Sequence, residues 1–295
     1  MKTCQPPDPN TRIPDLTVPP LACDAHCHVF GPAARFPFDP GRSYTPPDAS
    51  VERFRRLQSI LGFERAVIVQ ATCHGTDNAA MLDAIASSNG RYRGIAMVDE
   101  NFSETDFRDL DDGGVCGVRM SFARHLAGPP DFNKVKRIAD MIRPMGWHLV
   151  LYLEAEDVIE NALELRALQV PIVIDHMARV KPAEGIEQEA FRLLLGFLRD
   201  EGFWVKISGA ERLSAIGAPF HDLIPFAQAL IETAPNRVLW GTDWPHPNID
   251  GAMPNDADLV DLLALYAPDA EMRQRILVEN PARLYKFDPK APETI

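Results

Sequence analysis

Residues 148–175 read HLVLYLEAEDVIENALELRALQVPIVID. Two short apolar runs, 148–153 and 171–175, flank a segment, 155–168, in which apolar residues recur at helical spacing. Neither run alternates with polar residues. A strand without alternation is covered on both faces, as in a parallel sheet wrapped by helices. The unit is therefore strand, crossover helix, strand.

The same unit recurs outward in both directions. Apolar, branched runs lie at 23–30, 66–71, 94–98, 115–120, 148–153, 171–175, 203–207 and 238–241. Helical segments are expected at 51–61, 132–145, 155–168 and 220–233, and at 77–88 and 188–200, the last two closed by Gly90 and Gly202 in the left-handed cap that glycine favours. The third crossover, 101–113, carries the weakest helical pattern. Eight alternations without a 20–50-residue repeat predict an α/β fold of one (β/α)8 barrel, not an open sheet or a solenoid. The barrel is expected to span 21–287, with a flexible arm at 1–20 and a tail at 288–295. Barrels of this kind carry their sites where the strands end at the C-terminal face.

Composition limits what the site can serve. The chain has 295 residues, 46% hydrophobic and 24% charged, with a formal charge of −12. That charge opposes contact with nucleic acid and acidic membranes, and no apolar run approaches the roughly 20 residues of a membrane span. Cys4, Cys23, Cys27, Cys73 and Cys116 are odd in number and lack CxxC spacing, so reduced thiols are expected rather than disulfides or structural zinc. Cys27 and Cys73 are read as structural thiols, not nucleophiles. With no signal-like apolar stretch in the proline-rich first twenty residues, the expected location is the cytoplasm.

The strand ends carry the chemistry. The first ends in Asp24-Ala25-His26-Cys27-His28, and strand alternation turns His26 and His28 to one side. The sixth runs into Asp175-His176-Met177-Ala178-Arg179, and the eighth into Gly241-Thr242-Asp243-Trp244-Pro245-His246-Pro247-Asn248. Singly, each histidine is also explained as a satisfied core group and Asp243 as a turn former. Together, a His-x-His pair, a sixth-strand histidine and an eighth-strand aspartate converge on one mouth.

This set resembles the amidohydrolase superfamily. Within it, DAHCHVFGP, VIVQATCHGTDNAAMLDAIA, PIVIDHMAR and GTDWPHPN are similar to 2-pyrone-4,6-dicarboxylate lactonases, from about residue 23 to residue 285. The resemblance implies hydrolysis of a small anionic lactone, with Asp243 as general base for a water and His26, His28 and His176 polarising the substrate carbonyl without a metal. The same four residues also suit one divalent ion, zinc or manganese, as ligands. Arg119 stands where binuclear relatives place a metal-bridging group, and a guanidinium cannot ligate metal. Metal-free turnover is the favoured expectation.

Arginine forks grip carboxylates. The candidates are Arg119, Arg124, Arg179 and Arg212, and the resemblance adds Tyr44, Thr72 and Asn248 as substrate contacts. It also implies Lys-Arg where this chain has Arg124-His125. Either Arg124 takes over that grip, with His125 beside it, or the lactone bears a different second acid group, as in a sulfomuconolactone or a sugar-acid lactone. Tyr152 and Glu154 are expected to orient His28 or the water, Glu154 alternatively capping the next helix. His74 is assigned to the loop backbone rather than to the substrate. Two other functions share these residues: a zinc-dependent decarboxylase on the same barrel, and a silent anion-binding module, which has little use for an ionised Asp243 beside an anion.

Overall fold

Continuous apolar runs can remain strands only if both faces are covered, and the computed structural model, which describes residues 2–122 and 131–288, covers them by closing the sheet. Eight parallel strands follow one another in sequence order: β1 (Cys23–Cys27), β2 (Arg65–Val69), β3 (Tyr92–Ala96), β4 (Val115–Ser121), β5 (His148–Tyr152), β6 (Ile172–Ile174), β7 (Phe203–Lys206) and β8 (Val238–Leu239). Backbone bonds join the last strand to the first: Ala25 N–H donates to the Trp240 carbonyl (2.9 Å) and Asp243 N–H to that of His26 (2.8 Å). Gly241 makes this seam possible. A Cβ there would lie 2.4 Å from the His26 nitrogen, closer than non-bonded atoms approach.

The interior is filled by side chains from every strand. Cys23, Ala25, Val67, Val69, Ile95, Cys116, Val150, Val173, Trp204 and Leu239 form one cluster with Tyr285 and Phe287 from the chain's C-terminal part. A larger apolar layer lies between the strands and the helices. There α1 (Val51–Leu61) buries Phe54, Leu57 and Leu61, each worth about 1.5–3 kcal/mol, and ends at Gly62 in the left-handed conformation (φ 86°).

Several helices depart from the expected bounds. The helix α2 (Ala79–Ala86) stops before the left-handed Gly90, and α7 (Glu189–Phe197) ends at Leu198, without the left-handed glycine cap expected at Gly202. The third crossover holds a proper helix, α3 (Glu104–Asp112), started by a reciprocal Ser103–Asp106 capping box. The fourth, α4 (Phe132–Ile142), continues into a tighter turn at Arg143–Met145. The segment 155–168 breaks at Asn161 into α5 (Ala155–Glu160) and α6 (Ala162–Ala167). A short α8 (Ala210–Leu213) follows β7, and α9 (Ile224–Thr233) begins after a tight turn at His221–Leu223.

The N-terminal segment lies on the barrel through specific bonds. Lys2–Thr3 pairs in parallel with Tyr44–Thr45, Arg12 forms an ion pair with Asp258 (2.7 Å), and Leu16 N–H donates to Asp261 (2.8 Å). No helix among the described residues is long and apolar enough to cross a membrane.

Candidate active site

Apart from β4, the strands end one to three residues before their apolar runs do, and residues at and beyond these ends line a mouth. Beyond β6 the backbone makes a left-handed turn: His176, Met177, Ala178 and Arg179 have φ of 47°, 51°, 55° and 49°. Asp243, His246 and Asn248 beyond β8 also have positive φ. Such conformations cost about 1–2 kcal/mol per residue, and they collect where a site demands a particular side-chain direction.

These turns bring three imidazoles onto one carboxylate oxygen. Asp243 Oδ1 lies 3.2 Å from His28 Nε2, 3.5 Å from His26 Nε2 and 3.9 Å from His176 Nε2. Its other oxygen accepts a short bond from Arg212 Nε. Burial alone would push the Asp243 carboxyl up, but Arg212 and the surrounding histidines outweigh it and hold it well below the usual carboxylate range. Burial lowers all three histidines, His176 to about 4, so they are neutral near pH 7.

Neutral imidazoles have one donor and one acceptor, and their neighbours choose which. His28 has an acceptor at each ring nitrogen, the Val69 carbonyl 2.7 Å from Nδ1 and Asp243 Oδ1 3.2 Å from Nε2; the shorter contact takes the one proton of the neutral ring, which leaves a lone pair on Nε2 beside Asp243. His26 is the reverse. Lys206 Nζ, fully buried at the end of β7, donates to His26 Nδ1 (3.0 Å) and pairs with Asp175 (3.1 Å), which also meets Arg119 Nε (3.4 Å). His26 Nδ1 faces both the Lys206 ammonium at 3.0 Å, which needs an acceptor, and Asp175 Oδ1 at 3.2 Å, which needs a donor; with Asp175 already served by Lys206, the shorter contact makes Nδ1 the acceptor, and Nε2, which makes no hydrogen bond of its own, bears the proton. His176 Nδ1 is 2.9 Å from Ser208 Oγ.

A small cavity opens over this cluster, lined by His28, Tyr44, Thr72, Arg119, Tyr152, His176, Arg212, Asp243, Pro247 and Asn248. Of the residues singled out in the sequence, His28, His176, Asp243, Tyr44, Thr72, Arg119, Arg212, Tyr152 and Asn248 line this cavity, and His26 lies fully buried beside Asp243 without lining it. Others fall elsewhere. Arg179 donates to the Tyr152 hydroxyl (2.7 Å) and lines a neighbouring cavity with Glu154, Glu156 and Lys181, so it backs the wall instead of facing the pocket. Glu154 stands at the N-cap of α5, as the capping alternative had it. Tyr152 packs edge-on against His176, ring centroids 5.5 Å apart, and takes Arg119 over its face at 5.1 Å; it braces His176 rather than His28. Arg124 and His125 lie outside the described residues. His74 bonds to the Pro37 carbonyl (3.2 Å) and packs against Phe30 and Phe38, the backbone role expected of it. All five cysteines are buried and free, and burial pushes the Cys73 thiol up to about 12.

The sequence reading passed over a set of buried charges. Lys206 interrupts an apolar strand, which is itself a signal, because a charge inside a two-sided strand must find a partner. Asp24 accepts two bonds from Thr242 across the barrel seam and one from the His26 N–H on its own strand, and burial lifts it to about 7. His246 lies between Asp256 (3.0 Å) and Glu211 (3.4 Å); burial would lower it, but these carboxylates raise it to about 10.

The donor set can be tested against a divalent ion. His26, His28 and Asp243 place ligand atoms within 4.8 Å of one another. A ligating histidine ordinarily gives its other N–H to an acceptor, as His28 does to Val69, whereas His26 receives an ammonium proton there. Arg212 already balances Asp243, and Lys206 and Arg119 face Asp175. In kind the residues suit a metal, but in protonation and charge they do not.

The amidohydrolase family model matches residues 23–287. The chain is 46% identical to 2-pyrone-4,6-dicarboxylate hydrolase of Comamonas testosteroni, covering 94% of this chain and 93% of that one. It is 41% identical to 4-sulfomuconolactone hydrolase of Rhizobium radiobacter, covering 96% and 95%. A solved structure from Acinetobacter baumannii, a probable 2-pyrone-4,6-dicarboxylic acid hydrolase with citric acid bound, superposes with a TM-score of 0.80 at 27% identity, covering 90% of this chain and all of that one. With the strand order, the mouth and the match all extending over nearly the whole barrel, the chain belongs to the amidohydrolase family.

Proposed function

We propose that this protein hydrolyses a small lactone bearing acid groups, with 2-pyrone-4,6-dicarboxylate as the first candidate, and that it does so without a metal. The observation that carries this reading is the ionised Asp243 oxygen placed beside the His28 Nε2 lone pair, 3.2 Å away. A water seated against this pair donates one hydrogen to Asp243. Asp243 takes the proton as the water oxygen bonds to the lactone carbonyl carbon. His26 Nε2–H donates to the oxyanion that forms. When the ring C–O bond breaks, Asp243 returns its proton to the leaving oxygen, and the single ring-opened product carries a new carboxyl group that releases the water's second proton to solvent.

Arg119 and Arg212 line the cavity and supply cationic forks for the substrate's acid groups, with Tyr44, Thr72 and Asn248 as polar contacts on the same wall. The likeness to the sulfomuconolactone hydrolase supports a second substrate of the same class, in which a sulfonate takes one carboxylate's place.

The test is loss of the pyrone's ultraviolet absorbance with chelator-treated enzyme. Turnover should survive chelation and fall by at least about a thousandfold in Asp243→Asn, in line with loss of an essential base. No turnover of either lactone, with or without added zinc, refutes the reading.

A further inference from the structure

We propose that Lys206 is the residue that keeps the histidine cluster free of metal, by donating to His26 Nδ1 and so fixing His26 as a donor toward the reacting carbonyl. This rests on the metal-free part of the reading above and deepens it. Lys206 is fully buried at the end of β7, and its ammonium touches Asp175 at 3.1 Å and His26 at 3.0 Å. A structural ion pair needs only the first of these contacts. The second spends a buried positive charge on the one histidine nitrogen whose protonation decides what the other nitrogen can do.

With Lys206 present, His26 Nε2 carries hydrogen and cannot offer a lone pair to a cation. Without it, the remaining partner of Nδ1 is Asp175, 3.2 Å away. Nδ1 then takes the proton and donates to that carboxylate, and Nε2 turns into a lone pair beside those of His28 and Asp243. Such a carboxylate–histidine arrangement supports a bound metal ion, and loss of the ammonium also removes repulsion toward a dication. Lys206 is accordingly a positioning residue. It acts through His26 and does not line the cavity.

The experiment compares wild type, Lys206→Met and the charge-retaining Lys206→Arg, all chelator-treated and then dialysed against buffered zinc. Lys206→Met should bind about one zinc per chain, some 10–100-fold more tightly than the other two. Imidazole 15N spectra should show His26 protonated on Nε2 in wild type and on Nδ1 in Lys206→Met. Should Lys206→Met fail to fold, Lys206→Gln, which keeps a donor for Asp175, takes its place, and the wild-type spectrum remains decisive. Equal zinc affinity in wild type and the neutral variant, or wild-type His26 protonated on Nδ1, overturns the proposal. Neither readout involves a lactone, so failure here is separable from failure of chelated wild type to turn over substrate.

Discussion

Replacing Arg212 with methionine tests whether the cation beside Asp243 is there for the substrate alone or also for the base. In the folded protein Arg212 Nε bonds directly to Asp243 Oδ2, and both side chains are buried. Opposite charges about 4 Å apart attract by about 4 kcal/mol at an effective dielectric of about 20, which corresponds to a factor of about a thousand in the proton affinity of the carboxylate. With Arg212 removed, burial acts on Asp243 with its nearest opponent gone, and the carboxyl moves up. A general base works only when deprotonated, so the variant's activity should be suppressed at acidic pH and should recover as pH rises. Wild type should show no such limb from Asp243, because Arg212 and the histidines hold it ionised. The assay is kcat/KM for lactone hydrolysis across pH 4.5–8, an interval of about three thousandfold in proton activity. Loss of a carboxylate fork raises KM at every pH, so kcat must be followed separately. A variant whose kcat drops by one constant factor across the whole range refutes the coupling and leaves Arg212 as a substrate clamp only.

Three further perturbations probe the surroundings. His246→Gln strands Glu211 and Asp256 without their buried cation and should cost about 3–5 kcal/mol in denaturant unfolding at pH 6. Because His246 is raised to about 10 in the fold, its contribution is full below its ordinary value near 6.5 and fades as pH rises toward 10; the gap between variant and wild type must narrow in that window, and a constant gap contradicts the assignment. Gly241→Ala forces a methyl to within 2.4 Å of the His26 nitrogen, so it should lower stability by about 1–3 kcal/mol and displace His26, abolishing turnover; unchanged activity refutes the tight seam. Arg119→Lys removes the planar fork while keeping charge, and KM should rise by about tenfold or more with a smaller change in kcat, checked by steady-state kinetics.

The barrel was legible because two-sided burial leaves an unambiguous mark, and all eight apolar runs of the sequence overlap a strand of the sheet. Runs overshot the strands at His28, Asp175 and Gly241 because apolar content continues into the splayed ends that build the mouth. The helix α3 was faint because Phe107 and Leu110 are its only buried side chains, although its Ser103–Asp106 cap could be read locally. Histidines and Asp243 were found because strand ends name themselves. Lys206 to His26 and Glu211 to His246 were not, since each pair joins elements 180 and 35 residues apart and nothing local announces the partner. Arg179 was misplaced for a related reason: the left-handed turn that aims His176 inward carries the side chain three residues later behind Tyr152.

The seam between β1 and β8 dictates an order of events during synthesis. His26 and His28 leave the ribosome early, His176 at mid-chain, Lys206 later, and Asp243 only when most of the 295 residues have been made. Until β8 docks, Asp24 lacks Thr242 and the imidazoles lack their shared carboxylate, so an incomplete chain exposes unpaired buried groups and an open sheet edge to every other chain nearby. The last strand to emerge thus supplies the seal, the counter-charge and the base in one stroke. Truncation anywhere before it should yield an aggregating fragment instead of a weakened enzyme.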